Sequence, residues 1–98
     1  MVHKVTFTKT ADKAFYEIAL FLEENASRAV AVKFADKVDF TIEKLIKQPY
    51  IGRPSSKAKT VRKIVVYKYV QMMYRVVGRT LVISNFFDTR QHPGKSKF

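Results

Sequence analysis

The sequence predicts an α+β domain, a small twisted antiparallel sheet in the order β-α-α-β-β-β with a helical hairpin packed on one face. Three observations predict it. Apolar residues recur at helical spacing through the first half, alternate with a period of two from about Val61 onward, and are interrupted by one short stretch of loop composition. At 98 residues the chain has material for one core, so residues 1–98 are expected to form a single domain.

The first strand is read at His3 to Thr8, where Val5 and Phe7 share a side with His3 while Lys4, Thr6 and Thr8 take the other. Thr10 is the expected cap of the first helix, with Asp12 in the first turn, where the helix dipole favours an anion. Ala11, Phe15, Ile18, Ala19 and Leu22 then form one apolar stripe that ends near Glu24-Asn25. Ser27 caps a second, longer helix whose apolar face is Ala31, Phe34, Ala35, Val38, Ile42 and Leu45. Lys44 and Lys47 suit its last turn, and Pro49 stops it. Tyr50 to Thr60, reading YIGRPSSKAKT, is expected to be a flexible basic loop.

After the loop come three strands. Val61 to Val66 sends Arg62 and Lys63 to opposite faces, and a turn near Tyr67-Lys68-Tyr69 leads into Val70 to Val77. Gly78-Arg79 fits a two-residue hairpin turn, pairing Val77 with Thr80, Arg75 with Val82, Met73 with Ser84 and Gln71 with Phe86. The face expected against the helices is then Val70, Met72, Tyr74 and Val76 with Leu81, Ile83, Asn85 and Phe87. The other face is left open, followed by a tail at about residues 91–98.

Charge is segregated along the chain. Residues 1–48 hold eight Lys/Arg against seven Asp/Glu, whereas residues 49–98 hold eleven against Asp88 alone. Solubility does not require such asymmetry, which predicts a polyanionic partner, either nucleic acid or an acidic protein segment. There is no cysteine, and the two histidines, His3 and His92, lie at opposite ends, so thiol chemistry is excluded and no metal-ligand spacing is visible. With no long apolar run either, the sequence predicts a cytoplasmic protein without a cofactor, a metal or a membrane partner.

Val61-Arg62-Lys63-Ile64, then Tyr74-Arg75-Val76 before a hairpin, then Phe86 to Pro93 reading FFDTRQHP, together resemble the C-terminal half of the RelE/ParE superfamily of toxins. Leu45 to Arg53, reading LIKQPYIGR, is similar to that family's second helix and following loop. The resemblance implies the toxin of a bacterial type II toxin-antitoxin pair, held by a cognate acidic antitoxin in a hetero-oligomer. It implies two alternative activities. ParE-like members block DNA gyrase, and RelE-like members cleave messenger RNA on the ribosome. Carried onto this chain, the RelE-like nuclease set finds Lys63 on the second strand, Arg90 near the end of the last, and His92 beyond it. A second lysine position falls on Val65, and an arginine position falls near Gln71. The incomplete set favours the gyrase-directed reading, with Arg62, Lys63, Arg75, Arg90, His92 and Lys95 as partner-binding residues. Arg62, Lys63, Arg90 and His92 are the catalytic residues of the alternative. A non-toxic nucleic-acid-binding module is the third reading.

Overall fold

The computed structural model describes residues 2–89. Its elements are β1 (Lys4–Phe7), α1 (Lys9–Asn25), α2 (Arg28–Lys47), β2 (Arg53–Pro54), β3 (Arg62–Tyr67), β4 (Val70–Val77) and β5 (Thr80–Asp88). The strands form one five-stranded sheet in the order β1-β5-β4-β3-β2. The α+β layout with a helical hairpin is as expected, but two features of the sheet differ. It is mixed, because β1 runs parallel to β5, with Lys4 to Phe7 beside Thr80 to Ile83. The expected loop also contributes β2, a two-residue edge strand pairing Arg53 with Lys63 and Pro54 with Arg62.

Helix α1 starts two residues earlier than the sequence suggests. Thr8, not Thr10, is the cap, and its hydroxyl accepts the Ala11 N–H at 3.0 Å. Thr8 is chosen because β1 fixes it to the sheet. Its N–H donates to the Ile83 carbonyl at 3.0 Å and its hydroxyl donates to the Ser84 carbonyl at 3.0 Å. At the far end the Asn25 amide donates to the Phe21 carbonyl at 2.9 Å, and the Ser27 hydroxyl caps α2 by accepting the Val30 N–H at 3.1 Å. The tight link makes α1 and α2 a hairpin.

The hairpin buries Ala11, Ile18 and Leu22 of α1 with Phe34, Val38 and Leu45 of α2 against the sheet. Phe34 sits at the centre, its ring 5.2 Å from Phe15 and 6.5 Å from Phe86. Full burial of such a side chain stabilises the fold by about 1.5–3 kcal/mol.

The β4–β5 hairpin turns at Gly78, whose φ of +60° is the conformation such a tight turn demands and glycine supplies. The expected register holds from Val77↔Thr80 to Tyr74↔Ile83 and then slips, so that Met73 pairs with Asn85, Met72 with Phe86 and Gln71 with Phe87. Ser84 is the extra residue of a bulge. The Asn85 side chain accepts the Phe86 N–H at 2.8 Å, and Thr8 holds the Ser84 carbonyl. The bulge exchanges the faces of everything beyond it. Phe86 and Asp88, not Asn85 and Phe87, are buried on the helix side.

Candidate anion-binding face

Strand alternation divides the sheet residues into two sets. Arg62, Ile64, Met72, Tyr74, Leu81 and Ile83 face the helices and the 49–52 loop. Lys63, Val65, Gln71, Met73 and Arg75 face away. The ladders extend the outer set to Arg53 on β2, to Asn85 and Phe87 on β5, and to Lys4 and Thr6 on β1. Among the described residues this face carries four cations, Lys4, Arg53, Lys63 and Arg75, and no Asp or Glu. The seven acids of residues 1–48 are on α1 and α2, while Asp88 is on the helix side and 1% exposed. The charge asymmetry of the sequence therefore becomes an asymmetry between two faces.

Two cavities open beside these cations. One, of about 310 Å³, lies where the chain enters β2, beside the part of β3 beyond the short β2 ladder, bordered by Arg53, Lys63, Val65 and Gln71. The other, of about 330 Å³, is bordered by Arg75, Ser84, Asn85 and Thr10. Met73, midway between Gln71 and Arg75 on β4, is fully buried although it lies outside the main core.

Of the expected site residues, Lys63 and Arg75 share this face. Arg62 is on the other, and Arg90, His92 and Lys95 lie outside the described residues. The Arg62 guanidinium donates to the Gly52 carbonyl at 2.8 Å and to the Tyr50 carbonyl at 3.1 Å, and lies 5.2 Å from the centre of the Tyr50 ring. Tyr74 completes the attachment from the core. Its hydroxyl donates to the Pro49 carbonyl at 2.8 Å and accepts the Gly52 N–H at 2.9 Å. Burial raises the Tyr74 pKa, outweighing the opposing effects of the Gly52 hydrogen bond and the Arg62 charge. With its hydroxyl fully engaged on the helix side, Tyr74 is not placed to serve chemistry on the open face. Arg62 and Tyr74 together hold residues 49–52, the segment that delivers Arg53 to the sheet edge.

Sequence reasoning missed Arg53 and Lys4 as members of the face. Arg53 sits between Gly52 and Pro54 in a stretch without periodicity, so only its pairing with Lys63 reveals its direction. Among the described residues no group of three His, Cys, Asp or Glu is positioned to hold a metal ion, and no helix is long and apolar enough to cross a membrane.

A family model described as the ParE toxin of the type II toxin-antitoxin system parDE matches residues 5–93. Nothing among curated proteins matches. Solved structures do. A chain of the chromosomal ParDE toxin-antitoxin system of P. aeruginosa is 18% identical with a TM-score of 0.74, over 89% of this chain and 96% of that one. A chain of the RelBE2 toxin-antitoxin complex from Mycobacterium tuberculosis is 18% identical with a TM-score of 0.63, over 90% and 99% of the two chains. One from the E. coli DinJ-YafQ complex is 13% identical with a TM-score of 0.63, over 94% and 99%. At these identities the solved structures establish a shared fold.

Proposed function

Since the chain belongs to the ParE toxin family of type II toxin-antitoxin systems, we propose that it arrests growth by engaging DNA gyrase and is silenced by a cognate acidic antitoxin. The observation that carries the partner half of this reading is the acid-free face bearing Lys4, Arg53, Lys63 and Arg75. An acidic segment laid on it neutralises cations that no described residue neutralises, and gains attraction at long range as well as in contact. Toxin and antitoxin then form a hetero-oligomer in the cytoplasm.

The gyrase half is supported by the side chains that stand at the described strand positions of the face. Metal-independent RNA cleavage needs a group to activate the 2′-hydroxyl, cations for the developing phosphorane charge and an acid for the leaving oxygen. Lys63 is available as a cation. At the two further strand positions where the resemblance expects cations stand Val65, which is exposed, and Gln71. Tyr74, the buried tyrosine of β4, is held by Pro49 and Gly52 on the opposite side.

A supercoiling assay with the purified protein tests the target. Loss of gyrase activity or accumulation of cleaved DNA is the expected result, and unaffected gyrase at excess toxin refutes it. Primer extension on translated messages after brief induction tests the ribonuclease alternative, which requires discrete cuts in reading frames. The antitoxin reading predicts that Lys63→Glu weakens the complex with the acidic partner and flattens its dependence on salt.

A further inference from the structure

Arg53 and Lys63 are directly opposite each other across the β2–β3 ladder and project from the same face. Like charges in this relation repel and weaken a sheet. Neither side chain makes an ion pair or a hydrogen bond among the described residues, and the Lys63 side chain is half-buried beside the cavity. The pair borders the 310 Å³ cavity, where the Gln71 side chain, also without a hydrogen-bond partner among the described residues, adds an amide on the adjacent strand. Three polar side chains on three neighbouring strands thus border one hollow whose described lining includes no Asp or Glu.

We propose that this notch is a docking site for a single carboxylate side chain of an acidic peptide segment. Arg53 supplies a planar fork matched to two carboxylate oxygens, Lys63 a point charge, and Gln71 an amide donor. The surroundings favour a peptide over a nucleotide. The remaining border is aliphatic, with Ile51 43% and Val65 57% exposed, and no described residue of the cavity is aromatic. A nucleotide docked through its phosphate lacks a ring to stack on there, whereas a Glu flanked by Leu finds apolar surface on both sides of its carboxylate. The proposal rests on the reading that an acidic partner binds this face, and it adds which residues read an acidic side chain and how.

The test uses the full-length chain, isotope-labelled, and three probes observed by amide NMR: Ac-Leu-Glu-Leu-NH2, Ac-Leu-Gln-Leu-NH2 and inorganic phosphate. Saturable shifts of Arg53, Lys63 and Gln71 with the Glu peptide, absent with the Gln peptide and weaker with phosphate, are expected. Lys63→Gln should reduce the affinity about tenfold, and Arg53→Gln similarly. Both variants should also keep or raise the thermal midpoint of the free protein, by about 1–3 °C, because each removes a like-charge contact. A structural role for either residue gives the opposite sign, a lower midpoint. Equal response to phosphate and to the Glu peptide overturns the peptide assignment. Shifts that persist in Arg53→Gln/Lys63→Gln, or a lowered midpoint in either single variant, overturn the site. Growth arrest on expression is scored separately. A chain that arrests growth but ignores the Glu peptide keeps its toxin function and loses the notch, while one that binds the peptide without arresting growth retains the notch and loses the functional reading beneath it.

Discussion

Arg62 and Lys63 are consecutive residues of one strand with the same charge, and they meet opposite circumstances. Arg62 faces inward and uses two of its donors on backbone carbonyls, with an aromatic ring against its guanidinium. Lys63 faces outward, opposite another cation and without a counter-ion among the described residues. Pleat alone separates them. A cation hydrogen-bonded within the chain holds the chain together, whereas one without a partner among the described residues is available to an anion from outside. The contrast runs through the whole sheet: Tyr74 and Arg62 fasten the 49–52 loop on the inner side, and Arg53, Lys63 and Arg75 wait on the outer side.

The largest effect that sharpens this contrast is expected at Gly52. A Cβ there would lie 2.4 Å from the Tyr74 hydroxyl oxygen and 2.7 Å from its ring, and that ring is fully buried with both hydroxyl partners fixed. Gly52→Ala should therefore cost about 2–4 kcal/mol in denaturant unfolding. A change below 0.5 kcal/mol, a figure typical of surface sites, would mean that the loop is not fastened at Gly52.

Tyr74→Phe comes next. It leaves the Gly52 N–H and the Pro49 carbonyl without their partner, at an expected cost of about 1–3 kcal/mol. It should also alter the response to alkali. The folded Tyr74 pKa lies above its ordinary value of 10.0, so below pH 10 the hydroxyl is protonated in both folded and unfolded chains and contributes no slope. Above pH 10 the unfolded chain gives up the proton first and stability falls with pH. Comparing the unfolding free energy of the two proteins from pH 8 to 11 should show an extra decline in the wild type that Tyr74→Phe lacks.

The smallest effects test the contrast most directly. Arg62→Gln should destabilise by about 1–2 kcal/mol through lost hydrogen bonds to carbonyls. Lys63→Gln, one residue along, should change stability by no more than about 0.5 kcal/mol, as for a surface side chain outside any network. Equal losses at the two positions would remove the distinction between the faces.

Much of this arrangement was legible in the sequence wherever it depends on local pattern. The opposite directions of Arg62 and Lys63, the Ser27 cap, the Gly78 turn and the inner face from Val70 to Val76 all follow from spacing. What was not legible depends on contacts between distant segments. Thr8 bonds to a carbonyl 76 residues away, and that contact both selects the helix cap and anchors the bulge at Ser84. The bulge in turn sends Phe86 inward in place of Phe87, a reversal that no alternation within β5 reveals. The parallel placement of β1 and the direction of Arg53 are equally non-local. On the candidate face, Arg75 follows from strand parity, Lys63 is singled out by the family resemblance together with Arg62, which turns out to face the other way, and Arg53 is hidden in a stretch that reads as loop.

The neighbour of β1 in the finished sheet is β5, at the other end of the described chain. A ribosome adding about 5–20 residues per second delivers Ser84 roughly 4–15 s after Thr8. During that interval the first strand has no ladder to join, and the cap of α1 lacks the carbonyl to which its hydroxyl donates. The last strand, inserted between the first and its own hairpin partner, is therefore the piece that converts a collection of segments into a sheet. A nascent chain that stops short of β5 has no partner for β1, so the architecture itself postpones the complete cationic surface until β5 has been made.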